Sequence, residues 1–122
     1  PALHKIAGLD VTQGLKTLSG KTDAYLRLLG KFIDHHHDAA NAIRTAIGEG
    51  NRQDARRFAH STKGAGSMIG AVLLAQRADA LEIALSDGAA DPYIEQLLLE
   101  FDDRMSAFCK AVTEALSNTT QD

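Results

Sequence analysis

The chain is poor in the residues that build several common kinds of site. It has a single cysteine in 122 residues, so neither an internal disulfide nor a cysteine-rich metal site can form within it. Tryptophan is absent and aromatics make up only 5%, too few for the stacking platforms that hold single-stranded nucleic acid. The net charge of −3 argues against a general nucleic-acid binder as well. Two prolines leave long stretches free to be helical. No apolar run approaches the ~18 residues of a membrane span, and no signal-like segment precedes the first patterned element. These absences lead us to expect a cytoplasmic chain without membrane contact. What remains, 44% hydrophobic and 24% charged residues, is an ordinary soluble composition, enough for one domain over residues 1–122 with a single core.

Periodicity predicts helices throughout and no strands. Residues 1–20 are glycine-punctuated, with Asp10 as a cap for a two-turn helix from Val11 to Leu18, read as a lid over one end of a bundle spanning 22–117. From Thr22 to Gly48 the apolar positions Tyr25, Leu28, Leu29, Phe32, Ile33, His36, Ala39, Ala40, Ile43 and Ile47 predict one long amphipathic helix capped by Thr22 or Asp23. A turn over Gly48–Asn51 precedes a second helix to Ile69. A tight turn at Gly70 leads to a third, Ala71–Ser86, with Leu74, Ala78, Leu81 and Leu85 inward. After a loop, Asp91 as cap and Pro92 at the first helical position open the last helix. It keeps Ile94, Leu97, Leu98, Phe101, Met105, Phe108, Cys109, Val112 and Leu116 on one side, which makes Cys109 a small buried hydrophobe, and a polar tail from Ser117 is expected to fray. Short connections imply an all-α fold, an antiparallel up-and-down four-helix bundle with a short N-terminal capping helix.

The chemistry concentrates in Arg56–Gly70, R-R-F-A-H-S-T-K-G-A-G-S-M-I-G. Ala55, Phe58, Ala59, Thr62, Ala65 and Ile69 recur at intervals of three and four and form the buried stripe. At about 100° per residue, His60 points roughly 160° away from that stripe, sharing its side with Gln53, Arg56, Lys63, Gly64 and Ser67. Interior glycines cost about 1 kcal/mol each in a helix. Gly64, Gly66 and Gly70 therefore read as places where something approaches the backbone. Between Arg52 and Gly64 four Lys or Arg face one Asp, a local excess of +3 in an acidic chain, which points to an acidic partner.

The run A-H-S-T-K-G-A-G-S-M-I-G-A-x-x-L, followed by A-x-x-L-E at Ala78–Glu82, resembles the histidine-containing phosphotransfer domains of multistep phosphorelays. That family's H-x-x-K-G, G-A-x-x-L and L-E elements fall on His60, Lys63, Gly64, Gly70, Ala71, Leu74, Leu81 and Glu82, and the likeness extends over about residues 9–117. The resemblance implies that Nε2 of His60 accepts a phosphoryl group from a receiver-domain aspartyl phosphate and passes it to another receiver aspartate. It also implies that the receiver, not this chain, supplies Mg²⁺, and that no cofactor is held here. Lys63, one turn on, is placed to stabilise the phosphoryl group. The docking face comprises Gln53, Arg56, Arg57, Gly64 and Ser67. A monomer is expected, and the start at Pro1 leans towards a domain ending a hybrid sensor kinase.

In a hairpin turning at Gly70, Glu82 comes level with His60. Two readings stay open: a carboxylate that takes the Nδ1 proton, or a surface acid near Arg77 or Lys63. His35, His36 and His37 diverge by about 100° per step and cannot converge on one metal ion. Two other functions compete with phosphotransfer: an interaction module that binds an acidic partner without chemistry, and a kinase dimerisation helix. Ser61 directly after His60, where such kinases carry an acid, and the lack of a glycine-rich nucleotide loop weigh against the second.

Overall fold

Capping chemistry and apolar spacing divide the described residues into a short 3₁₀ turn, Leu3–Lys5, and six α-helices: α1 (Val11–Thr17), α2 (Thr22–His36), α3 (Ala39–Gly48), α4 (Arg52–Met68), α5 (Val72–Ser86) and α6 (Asp91–Gln121). The structure, a computed structural model, describes the backbone of residues 2–121 and the side chains of 2–117. No strand occurs among them, only an isolated bridge between Leu9 and Ala71. The tail expected to fray from Ser117 instead continues α6 in its backbone through Gln121.

Asp10 caps α1 as expected, its carboxylate accepting from Gln13 N at 3.0 Å, and Asn51 caps α4 through Asp54 N at 3.0 Å. The single helix expected from Thr22 to Gly48 is two. It breaks at His37–Asp38, and α3 starts afresh; the Asp38 carboxylate accepts from Asn41 Nδ2 at 2.7 Å but caps no backbone N–H. Lys21, not Thr22 or Asp23, is the residue preceding α2, and it makes no side-chain cap. The last helix opens at Asp91 itself, with Pro92 in its first turn, one position from the expected register.

One core joins all the helices. Tyr25, Leu29, Phe32, Ile43, Leu74, Leu81, Ile94, Phe101, Met105 and Val112 are buried in it, and Phe32 meets Phe108 edge-on at 5.7 Å. Phe58 departs from expectation: it is 39% exposed, because α4 buries Ala55, Ala59, Thr62, Gly66 and Ile69 and leaves Phe58 at the edge of that face. Cys109 is half-buried, and burial raises its thiol pKa.

Two devices fix the α4–α5 turn. The Tyr25 hydroxyl donates to Ile69 O at 2.7 Å, taking up a carbonyl at the end of α4, and burial with nearby Asp10 pushes the phenol up to about 12. The N-terminal segment lies along the turn, with Asp10 N donating to Gly70 O (2.7 Å) and Val72 N to Gly8 O (2.8 Å). Gly70 has φ +82°, and a Cβ there would stand 2.1 Å from Asp10 O. The N-terminal segment, through Gly8 and Asp10, thus serves as a strap on the turn that pairs α4 with α5.

Candidate functional site

The α4–α5 hairpin places side chains from opposite directions at the same level. His60 meets Glu82, and one turn on Lys63 meets Asp79, so rising numbers on α4 pair with falling numbers on α5. His60 stands with 65% of its side chain exposed on the outer face of α4, while Glu82 is only 14% exposed. Gln53, Arg57, Gly64 and Ser67 are exposed on the same face and Arg56 is half-buried beside them, as the helical spacing requires. Ser61, adjacent in sequence, faces a different side, towards a cleft of about 270 Å³ that it shares with Phe58, Thr62 and His36.

His60 Nδ1 lies 2.8 Å from Glu82 Oε2. Burial alone would raise the Glu82 carboxyl, but Lys63 and His60 outweigh it and hold the pKa below the ordinary 4.5. Glu82 is therefore an ionised, acceptor-only group at neutral pH, so Nδ1 must carry the proton in this contact. In the neutral ring that leaves the lone pair on Nε2, on an exposed side chain.

Lys63 is engaged by two acids. Its Nζ is 3.1 Å from Asp79 Oδ1, a hydrogen bond, and 3.0 Å from Glu82 Oε1, an ion pair without aligned hydrogen-bond geometry. Both carboxylates, Glu82 first, raise the Lys63 pKa. Arg56 Nη1 completes the cluster at 3.9 Å from Glu82 Oε2. Asp79 was not among the residues the sequence pointed to, although the hairpin pairing that joins 60 to 82 also joins 63 to 79.

The basic excess read along α4 is cancelled in space. Arg52 pairs with Asp91 at 3.6 Å, Arg57 with Asp54, Arg56 with Glu82, and Lys63 with Asp79 and Glu82. Arg77, a candidate partner for Glu82, instead pairs with Glu100 at 3.5 Å.

The three glycines also separate. A Cβ at Gly66 would make ordinary contacts with Ala71 and Ala75 at 3.7 Å, and one at Gly70 would collide with the strap. At Gly64 it would meet nothing within 4 Å, so only this glycine presents bare backbone to solvent.

Of the three consecutive histidines, His35 and His37 are exposed and His36 is half-buried. The His36 ring stacks on Phe32 at 4.9 Å and its Nδ1 contacts Thr62 Oγ1 at 3.1 Å, giving the buried hydroxyl its partner. Burial, then nearby His35, lowers the His36 pKa. Among the described residues no group of three His, Cys, Asp or Glu is placed to hold a metal ion, and no helix is long and apolar enough to cross a membrane.

An exposed imidazole on one helix of an all-helical fold, with a carboxylate from the next helix on its inner nitrogen, has the makings of a nucleophilic group carrier. The family model described as the Hpt domain matches residues 27–119, most of the chain, and the chain belongs to that family. It is thus a histidine phosphotransfer domain, a phosphorelay carrier without kinase catalysis of its own, of the kind that interacts with receiver domains. Neither a curated protein nor a solved structure matches the chain.

Proposed function

We propose that His60 is the phosphoryl-accepting residue, and that this chain takes a phosphoryl group from one receiver aspartate and delivers it to another. The observation that carries the reading is the 2.8 Å contact of His60 Nδ1 with Glu82 on an otherwise exposed ring. The Nε2 lone pair attacks phosphorus of the aspartyl phosphate, the P–O bond to the aspartate breaks, and the carboxylate leaves with that electron pair. The Nδ1 proton stays in place, and Glu82 balances the positive charge the ring gains. Transfer onward reverses these steps on a second receiver.

The receiver brings its own acidic site and Mg²⁺, since phosphoryl transfer depends mostly on positioning and charge stabilisation. Gln53, Arg56, Arg57, Gly64 and Ser67 form the face on which it docks, and exposed Phe58, further round α4 on the flank towards α2 and α3, borders it. Lys63, one turn from His60, is the cation within reach of the phosphoryl group once it is attached. The scaffold reads as an antiparallel up-and-down four-helix bundle, α2 and α3 together counting as one arm, with α4, α5 and α6 as the others. Contacts supporting it run in opposite numerical directions, Arg44 with Glu95 and Phe32 with Phe108. We read the chain as a monomeric, cytoplasmic module.

Phosphotransfer profiling of the purified chain against the receiver domains of its source cell tests this reading. Acid-labile label should appear on the wild type and vanish in His60→Gln with the fold intact. Label persisting in His60→Gln moves the site elsewhere, and no label from any receiver leaves an interaction module. Incubation with ATP alone should label nothing.

A further inference from the structure

The cation one turn from His60 is not free. Lys63 Nζ sits between Asp79 Oδ1 at 3.1 Å and Glu82 Oε1 at 3.0 Å, and the two acids are one turn apart on the same face of α5. Glu82 has a second task, on the His60 ring. Asp79 has none: Lys63 is the ion-pair partner found for it, and it is nearly half exposed, so it fills no core position.

We propose that Asp79 is a positioning residue that competes with the phosphoryl group for Lys63, and so keeps phosphorylated His60 a ready donor rather than a store. The inference rests on the reading of His60 as the phosphoryl acceptor. In the unphosphorylated chain Asp79 shares Lys63 with Glu82, and the carboxylates hold the ammonium charged. Phosphorylation adds two negative charges close to this cluster. Either Lys63 swings to the phosphoryl oxygens and leaves Asp79 without its partner, or it stays and the new anion goes unpaired. Both outcomes make the phosphorylated state less favourable than it would be without the Asp79 charge. Asp79 is partly solvated, so the effect is moderate and screened by salt.

The test uses a receiver that labels the wild-type chain in the profiling above, incubated to equilibrium with Mg²⁺, and reads the ratio of phosphohistidine to aspartyl phosphate. Asp79→Asn should shift that ratio towards phosphohistidine by about three- to tenfold at low salt, and by less at high salt. Asp79→Glu, which restores the charge, should return most of the shift. In a Lys63→Gln background, Asp79→Asn should lose most of its effect, since little competition is left to relieve. An unchanged ratio in Asp79→Asn overturns the proposal, including where the melting temperature falls, because that is what a purely structural ion pair would do. A shift of equal size with and without Lys63 overturns it too, as it would mean direct repulsion alone. A wild type that no receiver labels defeats the reading of His60 itself, and this inference with it.

Discussion

At the scale of single residues, the site is a pairing of two side chains whose levels follow from counting. Glu82 lies twelve residues beyond Gly70 and His60 ten before it, and a hairpin turning there brings them together. The same counting would have produced Asp79 opposite Lys63, but a charged residue without a motif attracts no notice until a partner is seen. Removing the carboxylate from the ring should matter more for rate than for stability. Glu82→Ala is expected to slow transfer from a phosphorylated receiver by about tenfold, as loss of an orienting partner does for other working histidines. Its ring should then show both neutral tautomers by ¹⁵N NMR, where the wild type shows the Nδ1-protonated form. Equal single-turnover rates would reduce Glu82 to a surface acid. The pH dependence has a definite sign. The Glu82 pKa is lowered on folding, so its stabilising contribution is complete above the ordinary 4.5 and is lost as pH falls through the depressed folded value. Gly64 separates stability from function. With open space around its missing Cβ, Gly64→Ala should melt higher, by up to about 1 kcal/mol in stability. Gly64→Leu should stay folded yet transfer more slowly, because bulk would stand where the receiver approaches. A stable Gly64→Leu with wild-type rates would falsify the docking face.

At the scale of elements, helix content and the inward stripes were legible, and the exceptions have local causes. No glycine or proline marks the break between α2 and α3; the backbone of Asp38 leaves helical geometry there (φ −102°, ψ 16°), and its carboxylate accepts from the Asn41 side chain without capping a backbone N–H. His36 sits at an apolar position of the helical pattern and occupies it as a polar residue, stacked on Phe32 and bonded to Thr62. A stripe read from spacing cannot distinguish that arrangement from a methyl contact. Its consequence is a measurable acid sensitivity. The His36 pKa is lowered on folding, so its contribution is present above the ordinary 6.5 and declines as pH falls towards the folded value. Melting temperature should therefore drop as pH falls below the ordinary 6.5, and drop less in His36→Gln. Parallel curves for the two proteins would assign the loss to other groups. The α4–α5 turn gives a second contrast. Gly70→Ala forces a side chain onto Asp10 O at positive φ and should destabilise by several kcal/mol. Gly66→Ala, with ordinary contacts, should be neutral or slightly stabilising. Comparable denaturation midpoints for the two variants would mean the strap does not hold the turn.

For the whole molecule, charge is where linear reading and folded geometry part most. A window along α4 counts four cations against one acid, but it cannot count Asp79, Glu82 and Asp91, which arrive from α5 and α6. Folding returns the patch to near neutrality within a chain of net charge −3. A receiver with an acidic site therefore meets a surface of paired charges, and each cation it recruits must first leave an internal partner. That weakens long-range attraction without removing short-range contacts, because oppositely charged neighbours cancel beyond about a Debye length, ~10 Å at 0.1 M salt. If the receiver docks on α4 as proposed, apolar contact then carries more of the affinity. Phe58 is 39% and Met68 48% exposed on α4, flanking the clefts towards α2 and α3. Aromatic anchors of this kind account for a disproportionate share of binding energy at protein interfaces. Affinity for the cognate receiver should accordingly fall by less than about threefold as salt rises from low to physiological strength. Phe58→Ala should weaken binding by about 1–2 kcal/mol, and Arg57→Ala by less than about 1 kcal/mol. Calorimetric titrations at two salt concentrations, with both variants, decide between the two pictures. A steep salt response together with a harmless Phe58→Ala would mean that the receiver pulls the cations of α4 away from their internal acids, and that the linear charge count was the better guide to docking.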